Sequence, residues 1–195
     1  MPKTDIGTDI YVALVHFPVK NKKGLTIGSA LTTIDLHDIA RACMTFGAKG
    51  CYVISPYEDQ IILAKQVIDH WCKGVGSKLN PHRKQALELI RVVSDFDEAI
   101  TNIKEEKSER LVTVGTSAQL YPKSINRKLI NMETLRQKLE NPGSYVLVFG
   151  TAWGLADELL DRCDYILDPI RGNTDYNHLS VRSAVSIYLD RIANG

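Results

Sequence analysis

Three stretches place small residues directly after apolar runs: VGTSA at 114–118, FGTAWGL at 149–155 and LDPIRGNTDYNHLS at 167–180. Gly, Ala, Ser and Thr leave main-chain N–H and C=O groups accessible, and glycine lets another molecule approach the backbone closely. Together the three stretches can form a slot for a flat aromatic ligand whose polar edge is read by the main chain. Gly150 and Gly154 are expected to let that ligand reach the backbone, with Trp153 between them placed to stack on a base or a partner subunit. The alternative for Trp153 is a ring that covers the end of the terminal helix.

Familiar fingerprints are missing. No G-x-G-x-x-G follows the first apolar run and no G-x-x-x-x-G-K-[ST] occurs, so neither a standard dinucleotide fold nor a P-loop is indicated. Cys43, Cys51, Cys72 and Cys163 show no C-x-x-C spacing and no nearby histidine cluster, so they read as reduced thiols, with no zinc or other metal site and no disulfide framework.

Loops of this kind need a scaffold. Short β-branched and aromatic runs alternate with helical patterns, which predicts an α/β fold, a parallel Rossmann-like sheet with helices on both faces. Strands are expected at IYVALVHF (10–17), CYVISP (51–56), about 90–93, RLVTVGTSA ending at Gly115, SYVLVFG and DYILDPI. Helices are expected at LHDIARACMTF, capped by Asp35 and ended by Gly47, at EDQIILAKQVIDHWC with Ile61, Ile62, Ala64, Val67, Ile68 and Trp71 inward, and at DFDEAITNIKEE, METLRQKLENPG, LADELLDRC and HLSVRSAVSIYLDRIA. In the last, Val181, Ala184, Val185, Tyr188, Leu189 and Ile192 share a face. KGVGSKLNPHRK and QLYPKSINRKLI read as connections.

The 195 residues fit one domain spanning 1–195. A net charge of +1 does not announce nucleic acid, so any basic surface must be local. Lys20, Lys22 and Lys23, then Lys73, Lys78, Arg83 and Lys84, then Lys123, Arg127 and Lys128 form three such stretches, whose plain reading is solvated faces. The beginning of the chain lacks the apolar run of a signal peptide, and no stretch approaches the roughly 18 apolar residues that span a bilayer, so a soluble cytoplasmic protein without membrane contact is expected.

The order TTIDLHDIARACMTFGAKGCYVISP, VLVFGTAWGL, YILDPIRGNTDYNHLSVRSAVSIYLDRI resembles the three motifs of the SPOUT superfamily, the knotted RNA methyltransferases dependent on S-adenosylmethionine. It is most similar to a small bacterial branch found alone or fused to tRNA (guanine-N1) methyltransferase. The resemblance covers about 10–194 and implies a C-terminal deep trefoil knot, an exception to the rule against threaded connections. It places the knot and the cofactor site in about 110–195, and it implies a homodimer packed around the knot. By position, it implies methyl-donor contacts at Gly115, Thr116 and Ser117, at Gly150, Thr151, Gly154 and Leu155, and at Leu167, Ile170, Leu179, Ser180 and Ser183. S-adenosylhomocysteine would be the product.

The same resemblance implies RNA, most readily tRNA or rRNA, as substrate. In SPOUT ribose methylases an asparagine begins the first-motif helix and an arginine follows six residues later; here these are Asp35 and Arg41. A guanidinium beside a ribose 2′-hydroxyl stabilises developing negative charge, which makes Arg41 the leading catalytic candidate and a helix-surface ion pair its alternative. Asp35 departs from the asparagine, and Ala152 and Trp153 stand where many ribose methylases carry a glutamate. For methylation of a base, as at guanine N1, Asp175 would accept the proton. A third reading keeps the donor pocket without turnover, as an RNA-binding or dimerisation module. Phosphate contacts are expected from Lys20, Lys22, Lys23, Arg83, Lys84 and Arg171. Asp175, Asn177 and Arg182 can position the target nucleotide, although Asn177 can equally cap a helix. His16 either contacts RNA or simply ends a strand.

Overall fold

The computed structural model describes residues 7–107, 110–119 and 129–194. Its centre is β1 (Thr8–Val15), an apolar run buried over nearly its whole length. Around it, β4 (Gly50–Ile54), β5 (Ile90–Val93), β6 (Leu111–Thr116), β7 (Leu129–Ile130), β8 (Gly143–Gly150) and β9 (Tyr165–Leu167) complete a seven-stranded sheet in the order β5-β4-β1-β8-β6-β9-β7. Every pairing is parallel, as expected for strands that read as continuous apolar runs because both faces are covered.

One face packs Val12, Leu14, Leu147 and Phe149 against α1 (Thr33–Phe46), α2 (Glu58–Cys72), α4 (Pro81–Leu87), α6 (Met132–Leu139) and α8 (Val181–Asn194). The other packs Tyr11, Ala13, Val146 and Val148 against α5 (Phe96–Lys107) and α7 (Asp157–Arg162). Alternate residues of each strand serve opposite faces, so one run feeds two cores. α1 ends on Gly47 in the left-handed region at φ 75°, where its N–H reaches back to the last turn.

Several expectations change. Asp35 does not cap α1, because Thr32 holds the N-cap position and Asp35 lies in the first turn. Ile62 faces solvent, and Ala64 is the fully buried position of α2. The connection after α2 is helical, as α3 (Gly76–Leu79) and α4, because the Asn80 side chain accepts the Arg83 N–H and Pro81 opens the next helix. Residues 19–27 contain an antiparallel pair, β2 (Val19–Lys20) and β3 (Thr26–Ile27). Leu129–Ile130 is an edge strand inside the expected connection, whose residues 120–128, including Lys123, Arg127 and Lys128, lie outside the described residues.

Two of these arrangements matter for function. β9 lodges between β6 and β7, which are consecutive in the chain. Beside β8, Val19 bridges to Leu155 and Lys20 exchanges backbone hydrogen bonds with Trp153 and Gly154, so the β2 segment pins the loop after β8.

Candidate functional site

Parallel strands deliver their loops to one edge, and in open α/β sheets that edge is where ligands bind. Here the ends of β6, β8 and β9, the residues before α1 and the start of α8 enclose a cavity of about 840 Å³. Its floor is apolar, from Phe149, Ile170 and Tyr188, and many of its wall residues are small, with Asp35, Trp153, His178 and Arg182 among the larger ones. The Phe149 and Tyr188 rings stand 6.0 Å apart. Tyr188 donates its hydroxyl proton to the Asp168 carbonyl at 2.7 Å, and burial pushes the phenol up to about 12, so it stays a donor. Asn177 donates from Nδ2 to the Ala118 carbonyl at 2.7 Å, tying the third loop to the first.

Of the residues expected to hold the ligand, Thr116, Ser117, Gly150, Thr151, Gly154, Ile170, Leu179 and Ser180 line the slot. Gly115, Leu155, Leu167 and Ser183 do not. Gly115 is packed where a Cβ would sit 2.9 Å from Leu160 Cδ2, Leu155 and Leu167 are core residues, and Ser183 bonds its neighbour Ser180.

The two glycines of FGTAWGL have a different cause from the one expected. A Cβ on Gly150 would lie 2.4 Å from Leu155 N and 2.6 Å from the Gly154 carbonyl carbon, so that glycine lets the loop fold back on itself. Gly154 adopts φ +97° with open space where a Cβ would be, so its reason is conformational. Ala152 also sits at positive φ, 52°. This tight turn leaves Trp153 52% exposed on the lining of the slot.

The polar residues divide clearly. Asp35 and Arg182 line the slot and bond each other, Nη1 to Oδ1 at 3.0 Å, while Arg182 Nε lies 3.4 Å from Asp38. Arg41 is exposed on α1 and is not among the lining residues; Asp175 and Arg171 are exposed on the third loop and likewise outside it. Lys20 is buried and pairs with Asp157 at 3.4 Å, which removes it from a phosphate-contacting surface. Lys22 and Lys23 are exposed, Lys84 lies 3.8 Å from Glu88, and Arg83 stacks 4.3 Å from the Trp71 ring. His16 is fully buried at the end of β1. Its Nδ1 meets Ser29 Oγ at 3.2 Å, its Nε2 has no partner, and burial holds its pKa below the ordinary imidazole value. Ser29 in turn bonds Thr151, linking the end of β1 to the slot wall.

The lining that sequence reasoning missed comes from two places. Ser29, Ala30, Thr32 and Ile34 precede or open α1, and Phe149, Ala184 and Tyr188 form the floor. The first carried a signal in the small residues before a helix; the second read as ordinary core.

The cavity fits the donor that the sequence implied. Its apolar, aromatic floor suits an adenine, and the N–H groups of Ala152, Leu179 and Ser180 have no partner among the described residues, leaving main-chain donors for a polar ring edge. A family model described as SAM-dependent RNA methyltransferase matches residues 9–194. The chain belongs to this family. The chain is 43% identical over 187 residues to a protein of Oleidesulfovibrio alaskensis named tRNA (guanine-N(1)-)-methyltransferase, covering 95% of this chain and 42% of that one. It thus spans less than half the length of that relative. It is 37% identical to an uncharacterized protein of Aquifex aeolicus, covering 96% and 89% of the two chains.

The chain shares its fold with the SpoU methyltransferase AviRb from Streptomyces viridochromogenes, solved in complex with AdoMet, at TM-score 0.55 and 16% identity over 95% of this chain and 57% of that one. A structure titled for the 2-OH methylation of C/U34 on tRNA matches at TM-score 0.55 and 15% identity, covering 96% and 95%. The fold is therefore the knotted SPOUT fold. The matched family is one of SAM-dependent RNA methyltransferases, and one of the solved structures that shares the fold holds AdoMet. Among the described residues no helix is long and apolar enough to cross a membrane, and no group of His, Cys, Asp and Glu is placed to hold a metal.

Proposed function

We propose that the chain transfers a methyl group to a ribose 2′-hydroxyl of tRNA and does so as a homodimer. The observation that carries this reading is the slot itself: an aromatic-floored cavity at the ends of β6, β8 and β9 with free main-chain donors. Bound there, S-adenosylmethionine supplies an electrophilic methyl group. The chain supplies orientation, exclusion of water by the folded-back loop 150–155, and stabilisation of the charge that grows on the nucleophile.

Phe149, Ile170 and Tyr188 would hold the adenine, while Thr116, Thr151, Gly154, Leu179 and Ser180 would line the rest of the donor. Arg41 is retained as the group that stabilises the nucleophile, with one condition drawn from geometry: it lies outside its own chain's slot, so a second copy has to present it. Trp153, exposed at the rim, would stack on the target base or its neighbour. Lys22, Lys23, Arg83, Lys84 and Arg171 would contact phosphates, giving salt-dependent affinity. The protein would work in the cytoplasm, where tRNA is modified.

The name of the 43% identical relative favours a second reading, methylation at guanine N1. Asp175, the proton acceptor that reading invoked, stands outside the slot. Incubation with labelled methyl donor and total RNA, followed by digestion to nucleosides, separates the two. A 2′-O-methylnucleoside supports the ribose reading; 1-methylguanosine overturns it; bound donor with no transfer leaves a non-catalytic RNA-binding module.

A further inference from the structure

The slot has an apolar end and a charged one. Asp35 and Arg182 come from the first turns of α1 and α8, and Asp35 is the one carboxylate lining the cavity among the described residues. Tyr188 lies six residues deeper along α8 than Arg182, roughly 9 Å at the rise of an α-helix. An aromatic floor and an ion pair are thus separated by about the span of a ribosyl thioether.

Helix architecture does not require this pair. Thr32 already donates its hydroxyl to Asp35 Oδ2 within the first turn of α1, and an acidic residue there is favoured by the helix dipole without an arginine from another element. Bringing a guanidinium onto a carboxylate that is only 7% exposed costs desolvation that a packed apolar pair would avoid. Nor is the pair saturated. Arg182 uses Nη1 toward Asp35 and Nε toward Asp38, which leaves Nη2 without a protein partner among the described residues. A carboxylate has about four acceptor positions, and here two are engaged, by Thr32 and Arg182.

We propose that Asp35 and Arg182 form a charge-matched subsite for the zwitterionic amino-acid end of the methyl donor, Asp35 accepting from its ammonium and Arg182 donating to its carboxylate. The proposal rests on reading the cavity as the donor slot. The ligand's two charges face the opposite charges of the pair, so each protein charge keeps a partner and gains a second one. Arg182 then serves the donor, not RNA, and the change from the asparagine of the resembled ribose methylases to Asp35 acquires a cause.

Calorimetry with two probes tests this: S-adenosylhomocysteine, which carries the amino-acid end, and 5′-methylthioadenosine, which lacks it. The wild-type chain is expected to bind the first about tenfold or more tightly than the second. Asp35→Asn and Arg182→Gln should bring S-adenosylhomocysteine down toward 5′-methylthioadenosine while leaving the latter's affinity unchanged. Equal affinity of the wild type for both probes overturns the subsite and leaves the slot intact. Equal loss of both probes in the variants, or weakened RNA binding with unchanged S-adenosylhomocysteine, also overturns it, assigning the pair to packing or to RNA. If the wild type binds neither probe, the donor-slot reading fails first. Melting temperatures of the two variants within a few degrees of wild type show that the comparison is made on folded protein.

Discussion

His16 is an imidazole that the interior keeps neutral: burial lowers its pKa, with the nearby Asp35 charge opposing in second place. A neutral buried histidine takes up its proton more readily in the unfolded chain, so its contribution is fully present above the unfolded pKa of about 6.5 and is lost as pH falls below it. Unfolding free energy measured by urea titration should therefore decline from pH 7 to pH 5, at up to about 1.4 kcal/mol per pH unit for this one proton. His16→Gln should flatten that part of the profile, and an unchanged slope would show that other groups govern it. Gly150 makes an independent case. A methyl there meets backbone atoms at 2.4 and 2.6 Å, neither of which can rotate away, so Gly150→Ala should cost roughly 1–3 kcal/mol. The same change should weaken S-adenosylhomocysteine binding in calorimetry, since the displaced loop is a slot wall.

Among the elements, α4 shows how a local signal sets a larger surface. Asn80 caps it through the Arg83 N–H, and Arg83 lies over Trp71, whose ring meets His37 edge-on from α1. Asn80→Ala should lower stability by about 1 kcal/mol in urea unfolding, and Asn80→Asp should largely restore it. The Asn-Pro pair that announces this helix was visible in the sequence, yet the basic, glycine-containing composition around it read as loop. The major strands and helices were legible because their periodicity is local and long. The two-residue β7 was not, because it depends on a β9 neighbour far along the chain. Small-residue loops betrayed three walls of the slot, whereas Phe149 and Tyr188 looked like any other core aromatics. Likewise, no pattern within one helix pairs Asp35 with an arginine 147 residues away.

At the scale of the molecule, the position of Arg41 decides how many chains make an active site. If a second copy supplies it, Arg41→Ala and a slot-filling Ser180→Trp should each be inactive alone. An equal mixture should recover about a quarter of the wild-type activity, because half of the dimers are mixed and each carries one intact site. Zero recovery, with mixed dimers confirmed by size and tag capture, would place Arg41 on its own chain's slot, and an active Arg41→Ala would detach it from the reaction. The strand order carries a consequence in time as well as in space. β6 and β7 share no ladder of their own; β6 pairs with β8, but β7 joins the sheet only through β9, which is made about 35 residues after β7, and α8 follows it. During synthesis, the edge of the sheet therefore stays open until nearly the whole described chain has left the ribosome. A polypeptide halted before Tyr165 holds most of the apolar core but neither the third wall of the slot nor the Ile170 and Tyr188 part of its floor. Methyl-donor binding should thus arise only once α8 is made, and its appearance on a stalled-chain series would mark the moment when α8 finds its place.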